Sequence, residues 1–383
     1  MPAVLFIFGT RPEAIKMAPL VKLLRNTPRF NALVAVTAQH REMLDQVLDI
    51  FDISPDYDLD LMRPRQSLSD ITCRSLAGLE EVIIVAAPDL VLVHGDTTTT
   101  FTAALAAFYR RCPVGHVEAG LRTGRKDSPF PEEINRRLTA TLADLHFAPT
   151  AGARENLLRE GIPAEQIYVT GNTVIDALKT TVRRDFRFRD ARLQALDFTE
   201  PVLLAEVHRR ESWGRSLEEI CAALRRLVKD SGYHLVFPVH RNPAVRDPVR
   251  KALGECPKVL LLEPLDTITF HNLMARCYLV LTDSGGIQEE APALGRPVLV
   301  LREVTERPEA ITAGTVRLVG TRQQDIYHAA RELLDNRKTY LAMARAVNPY
   351  GDGQASKRIR DSIFHYFGIL KTRPPDFGIR EEG

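Results

Sequence analysis

Short apolar runs alternate with longer amphipathic segments from one end of this chain to the other, and that rhythm is its strongest constraint. Strand candidates in the first half lie at 4–8, 32–37, 90–94, 114–117 and 146–148, with helix-like stretches at 14–24, 42–51, 68–85 and 100–109. The second half repeats the pattern with strand candidates at 202–207, 235–238, 259–262, 279–281 and 298–301. Alternation of this kind implies parallel sheets with helices on both faces. At 383 residues the chain exceeds what one hydrophobic core supports, so two doubly wound domains are expected. The break falls in the charge-rich segment 172–201, which ends at Pro201 before a fresh strand. The reading is an N-terminal domain over 1–172 and a second over 173–354. A C-terminal helix over 355–370 is expected to pack back on the first domain, with a flexible tail at 371–383.

Composition narrows the function classes. Apolar residues make up 45% and charged residues 26%, ordinary values for a globular protein. The 51 basic and 49 acidic residues leave a formal charge of +2, with no clustered basic run, which argues against nucleic acid as a partner. Five cysteines at 73, 112, 221, 256 and 277 form no C-x-x-C pair, so they are read as small buried apolar residues. No stretch of 18 apolar residues occurs, and the N-terminal run lacks the basic flank of a signal peptide. The expectation is a cytoplasmic protein without a membrane partner.

In doubly wound sheets, ligands bind outside the C-terminal ends of the strands, and two such sheets would share a cleft there. In "VLFIFGTRPEAIKMAPL" a strand meets Gly9 and then a helix, with Arg11 and Lys16 as polar outliers. Arg11 stands where a backbone anion site would form; otherwise both are surface cations on an amphipathic helix. No second or third glycine follows, so this is not the dinucleotide fingerprint and NAD is not implied. "LVLVHGDTTTT" ends a strand at Asp96, a residue that could equally be an N-cap. "CPVGHVEAG" ends the next at Glu118. "SPFPEEINRRL" puts Glu132 and Glu133 in the first turn of a helix, where the dipole favours acids, so one of the two is read as structural. Carboxylates around one cleft edge suit general acid–base chemistry, and crowding of like charges would raise one pKa.

The second half has a different character. "EVHRRE" carries His208, Arg209 and Arg210; "FPVHRNP" carries His240; "TDSGGIQEE" carries Ser284, Gly285 and Gly286; "ERPEA" carries Arg307. Basic and glycine-rich strand ends suit a phosphorylated ligand. In "DSGGIQEE" the glycines open a helix, Glu290 stands more than a turn away, and Glu289 is rotated about 100° from it. There is no H-E-x-x-H or aspartate-rich loop, so no fixed metal is expected.

These motifs, with "GNTVIDAL" and "NPYGDG" at 348–353, resemble in order and spacing the bacterial non-hydrolysing UDP-N-acetylglucosamine 2-epimerases over nearly the whole chain. The resemblance implies two Rossmann-like domains of the glycosyltransferase-B type, an active site in the interdomain cleft, a homodimer and no cofactor. It implies epimerisation at C2 of UDP-GlcNAc to UDP-ManNAc, through elimination of UDP to 2-acetamidoglucal and re-addition, feeding a surface polysaccharide. By position, Asp96, Glu118 and Glu132 match the family's acid–base carboxylates, with the one that takes the C2 proton left open. His208, Ser284, Gly285 and Gly286 match the diphosphate grip. Arg11 and Lys16 match residues near the substrate, Phe270 one beside the uracil, Glu290 the ribose ligand, and Arg307 a further ligand arginine. Some members bind a second UDP-GlcNAc as activator, for which Gln39, Arg210 and His240 are the candidates. One departure stands out: Glu206, two residues before His208, is an acid where relatives more often carry Thr. Competing readings are hydrolysis to ManNAc and UDP, glycosyl transfer, or a non-catalytic nucleotide-sugar sensor.

Overall fold

A computed structural model describes residues 1–38, 41–61, 63, 66–127 and 129–378, and gives no side-chain description at 41–43. The chain divides into two units, Met1–Ala177 with Tyr350–Gly383, and Leu178–Pro349.

The first unit carries seven strands: β1 (Ala3–Phe8), β2 (Asn31–Val36), β3 (Tyr57–Asp58), β4 (Leu90–His94), β5 (Val114–Val117), β6 (Leu145–Ala148) and β7 (Ile167–Val169). Every pairing is parallel, in the order β3-β2-β1-β4-β5-β6-β7. The sheet is covered on both faces, which is why its strands read as largely apolar runs. Along β1, Val4, Phe6 and Phe8 enter one core with the helix Arg11–Arg25, while Leu5 and Ile7 enter another with Leu79, Ile83 and Ala103. That is the two-residue alternation of a strand used on both sides. β3 and β7, absent from the sequence reading, have two and three residues, too few to show a period.

The chain returns to this unit at Tyr350, whose carbonyl accepts from the Asn172 amide at 2.7 Å. The helix Ala355–Tyr366 is capped from a distance: Asp176 accepts from the amides of Ala355 (3.1 Å) and Ser356 (2.8 Å). Ile359 and Ile363 are fully buried on this unit's core, and Phe364 stacks on Phe30 at 5.0 Å. Each isoleucine contributes about 1.5–3 kcal/mol of burial. Residues 371–378, expected from their prolines and low apolar content to be loosely held, run beside β7. Asp376 accepts from Val169 N at 2.7 Å, Phe377 N donates to Val169 O at 2.7 Å, and Arg373 lies 4.2 Å over the Tyr168 ring. Backbone pairing and cation–π contact do here what apolar burial does elsewhere.

The second unit carries six parallel strands: β8 (Val202–Glu206), β9 (His234–Pro238), β10 (Val259–Leu262), β11 (Leu279–Thr282), β12 (Val298–Val300) and β13 (Val316–Leu318). Their order, β10-β9-β8-β11-β12-β13, is the doubly wound 3-2-1-4-5-6 arrangement. The strand order therefore reverses between β1 and β4 in one unit and between β8 and β11 in the other. Such switch points are where this fold takes ligands. Cys112, Cys221 and Cys277 are buried, but Cys73 is exposed, contrary to the expectation of five buried thiols. It sits on the solvent side of the helix Leu68–Ala86, where nothing in the apolar pattern demanded a core residue.

Candidate functional site

In the first unit the loops after β1 and β4 are fastened together by Glu13, which the sequence reading passed over. Thr10 caps the helix Arg11–Arg25 and Glu13 follows three residues later, the T-x-x-E spacing of a capping box. The carboxylate accepts from Gly9 N (3.1 Å), Thr10 N (2.7 Å), Thr97 Oγ1 (2.7 Å) and Thr100 Oγ1 (3.0 Å). Burial pushes its pKa up, and the donors pull it back. Gly9 is required by packing: an added Cβ would lie 2.1 Å from Thr37 Oγ1.

Asp96 does not cap the following helix. Thr97 does, its hydroxyl accepting from Thr100 N at 3.1 Å. The Asp96 carboxylate instead meets Arg136 at 2.5 Å, and its carbonyl accepts from Asn135 Nδ2 at 2.9 Å. Of the acid pair in the helix Glu132–Leu142, Glu133 is the structural one. It is fully buried, accepts from the amides of Thr123 and Gly124 at 3.1 Å each, and meets Arg136 at 3.3 Å. Glu132 stays half-exposed one turn before Arg136, on the helix face that reaches Asp96.

Glu118 follows β5 in a left-handed conformation, φ 65°, uncommon for a residue with a side chain and a mark of functional sites. Its carboxylate pairs with Lys16, accepts from Asn172 Nδ2 at 2.8 Å, and lies 3.7 Å from His94 Nε2. Its Oε1 lies beside Gly95, the residue before Asp96: a Cβ added there would be 3.9 Å away. So Asp96 and Glu118 stand at neighbouring strand ends, as expected. The crowding of like charges is relieved, because each has its own cation, Arg136 and Lys16. Arg11, half-buried, opens the same helix that carries Lys16. Below the carboxylates the strands hold three buried histidines, with His116 paired in register to His146 and His94 to Val117. Burial holds them neutral, lowered to about 4 for His94, about 3 for His116 and about 4 for His146. His116 Nε2 lies 2.8 Å from the Gly95 carbonyl and supports the turn that carries Asp96.

In the second unit Asp283 plays the part of Glu13. Fully buried after β11, it accepts from His208 N (3.1 Å), Arg209 N (3.0 Å) and Ser212 Oγ (2.7 Å), fixing the loop after β8. His208 Nδ1 lies 2.6 Å from Glu206 Oε1, and the hydrogen bond to that carboxylate raises the imidazole pKa against the opposing effect of burial. Glu206 Oε2 accepts from Thr282 Oγ1 at 3.0 Å, which in turn accepts from Ser284 N at 3.0 Å. The Ser284 amide is therefore engaged inside the protein; the amides of Gly285 and Gly286 open the helix Ile287–Ala293. Gly285 also makes room for an ion-pair knot, since a Cβ there would meet Glu306 Oε1 at 2.7 Å and Arg209 at 3.3 Å. Burial alone would push Glu306 up, but Arg209 (2.7 Å), Arg302 (2.6 Å) and Arg307 hold it down at about 2.

Glu290 lies 3.5 Å from His271 Nε2, next to half-buried Phe270 on the helix Thr267–Arg276. Glu289 is buried and pairs with Arg307 Nε, so that arginine is braced by an acid of the same helix. His240 and Arg210 are exposed, and the His240 ring stacks 6.2 Å from that of His208. Gln39 lies outside the described residues. Among the described residues, Glu206, His208 and Asp283 have possible metal-ligating atoms within 4.8 Å of one another. All three already hold protein hydrogen bonds, the imidazole through Nδ1 on Glu206.

A family model described as UDP-N-acetylglucosamine 2-epimerase matches residues 22–364. A UDP-N-acetylglucosamine 2-epimerase of Escherichia coli K12 is 56% identical over 367 residues, covering 94% of this chain and 98% of its own. A putative UDP-N-acetylglucosamine 2-epimerase structure from Listeria monocytogenes superposes with TM-score 0.92 at 51% identity, covering 98% of this chain and 99% of its own. The Neisseria meningitidis UDP-GlcNAc 2-epimerase, bound to UDP-GlcNAc, superposes with TM-score 0.86 at 48% identity, covering 94% and 99%. With two Rossmann-like units, the fold is of the glycosyltransferase-B type.

Proposed function

The chain belongs to the UDP-N-acetylglucosamine 2-epimerase family and is an isomerase of that kind, and from this premise we propose that it works by eliminating UDP across C1–C2 and adding it back. The C2 hydrogen of the sugar is not next to a carbonyl, so simple deprotonation is unfavourable. In the elimination a carboxylate takes the C2 proton as the C1–O bond breaks, and the electron pair leaves on the diphosphate, giving 2-acetamidoglucal and UDP. Re-addition restores the C1–O bond while C2 receives a proton on its other face, so the sequence is redox-neutral. The observation that carries this reading is the pair of carboxylates, Asp96 and Glu118, at neighbouring strand ends with separate cations. Glu132 completes the acid–base set, and Arg11 and Lys16 attend the substrate. In the second unit His208, Ser284 through its hydroxyl, and the amides of Gly285 and Gly286 hold the diphosphate. Glu290 takes the ribose, Phe270 packs by the uracil, and Arg307 adds a cation.

UDP-GlcNAc, UDP-ManNAc and UDP are the small-molecule partners, a reading supported by the Neisseria structure's bound UDP-GlcNAc. A second UDP-GlcNAc acting as activator would call on Arg210 and His240. A homodimer is supported by exposed Ile84, Val85, Phe108 and Tyr109 at the C-terminal ends of two packed helices, where Arg110 and Glu80 meet at 3.8 Å. No helix among the described residues is long and apolar enough to cross a membrane. We place the enzyme in the cytoplasm, supplying ManNAc units for surface polysaccharide.

The deciding experiment is incubation with UDP-GlcNAc in D2O, followed by proton NMR. Both UDP sugars should appear, each carrying deuterium at C2. Accumulation of free ManNAc without UDP-ManNAc would instead mark a hydrolase, and tight UDP binding without exchange a sensor.

A further inference from the structure

Glu206, an acid two residues before His208, has a specific place in the structure. It ends β8 with its carboxylate shared between two donors, His208 Nδ1 at 2.6 Å and Thr282 Oγ1 at 3.0 Å. The second contact locks its orientation, because Thr282 is itself held by the Ser284 amide. The backbone of His208 is pinned separately by Asp283. With both backbone and Nδ1 held, the imidazole has one ring nitrogen, Nε2, left to reach a ligand.

We infer that Glu206 is a positioning residue that keeps the Nδ1 proton on His208 and so presents the ring, through Nε2–H, as a cation to the nucleotide diphosphate. This rests on the proposed role of His208 as part of the diphosphate grip. A carboxylate at 2.6 Å from Nδ1 favours the imidazolium over the neutral ring. The other charged and titratable groups facing the ring do not undo this. Asp283, from the turn after β11, has Oδ1 3.7 Å from Nδ1 and adds to the cationic preference, while the neighbouring Arg209 opposes it. Arg209 is itself neutralised by Glu306 at 2.7 Å. His240, from the loop after β9, stacks at 6.2 Å with its Nδ1 accepting from Asn242 N. An acid that would repel a diphosphate if it faced one is thus turned inward, and its charge is relayed as a donor. The hold on the leaving group should then persist at pH values where an unassisted imidazole is neutral.

Glu206→Gln keeps an oxygen acceptor and the side-chain shape but removes the charge; Glu206→Asp keeps the charge. In the full-length enzyme, the His208 ring should titrate at lower pH in Glu206→Gln than in the native protein, read by NMR of labelled histidine. UDP affinity by calorimetry should fall roughly tenfold in Glu206→Gln at pH 8, the value of about one charge-assisted hydrogen bond, and by less than about twofold at pH 6. Glu206→Asp should recover most of the loss. A Glu206→Gln protein that binds UDP as tightly as, or more tightly than, the native one at pH 8 overturns the inference, as does an unmoved His208 titration. The titration needs no substrate. A native enzyme that leaves UDP-GlcNAc unchanged would therefore sink the assigned reaction and not the Glu206–His208 pair.

Discussion

The three histidines buried under the carboxylates of the first unit make its stability fall on mild acidification. His94, His116 and His146 have folded pKa values of about 4, about 3 and about 4, against 6.5 for a free imidazole. Above pH 6.5 both folded and unfolded states are neutral at these sites and no penalty exists. Below it the unfolded chain takes up protons that the folded unit refuses, so stability drops by about 1.4 kcal/mol per pH unit per histidine. The drop levels off only below pH about 4, where the folded forms protonate in turn. Lowering the pH from 7.5 to 5.5 therefore removes about 4 kcal/mol through these three histidines, a large share of the 5–15 kcal/mol of a typical domain. Glu13, whose pKa is raised by burial, acts in the opposite direction. The second unit carries the opposite sign at His208. Its raised pKa contributes stability that is present below 6.5 and lost as pH rises through the folded value. The single tryptophan, Trp213, lies in the second unit, so its fluorescence follows that unit while far-UV circular dichroism follows both. In urea, the dichroism component without a fluorescence counterpart should move down between pH 7.5 and 5.5, the three histidines alone accounting for roughly 2 M at a slope of about 2 kcal/mol per molar. The Trp213 transition should not move down with it. A dichroism transition that shifts by less than about 0.5 M would refute the claim that these imidazoles are held neutral by burial.

Three further outcomes are expected. Asp96→Asn and Glu118→Gln should each lower turnover at least ~10²-fold, measured as UDP-ManNAc formed, with folding retained by circular dichroism. Asp283→Asn replaces an acceptor of three donors with a group that is half donor; it should cost about 3 kcal/mol in the Trp213 urea transition and weaken UDP binding through loss of the His208 backbone anchor. If the proposed homodimer uses this face, Val85→Glu with Phe108→Glu should yield a monomer in light scattering where the native protein yields a dimer, since both side chains are more than half exposed.

Legibility followed the length and burial of each signal. The longer strands could be read because burial on both faces keeps them largely apolar. β3, β7 and β13 have two or three residues each, too few to show a period, and are defined by their neighbours' backbones. The strand-end acids Asp96 and Glu118 stood out against apolar runs. Their partners Arg136 and Asn172 did not, because each lies dozens of residues away and nothing local marks it. Residue type alone did not separate Glu132 from Glu133, since both suit a helix start; the resemblance pointed to Glu132, and the Thr123 and Gly124 amides give Glu133 a structural part. Glu13 was within reach through its T-x-x-E spacing. His94, His116 and His146 were hidden, because a histidine inside a strand-like run gives no hint whether it is neutral and buried.

The two switch points share a device that explains how charged groups are aimed with little freedom. In each unit a buried carboxylate joins the loop after the first strand to the loop after the fourth: Glu13 across β1 and β4, Asp283 across β8 and β11. Glu13 gathers four donors and Asp283 three distinct groups. A buried acid is costly unless its lone pairs are filled, and once they are filled it rigidifies what fills them. The donors here are the backbone amides and hydroxyls of the very loops that carry Arg11, Asp96, His208 and Arg209. Neither acid is left with an oxygen free to meet a ligand. Their charge is consumed in orienting the groups proposed to do so, which is why a sheet end proposed to bind an anion can hold acids at its centre.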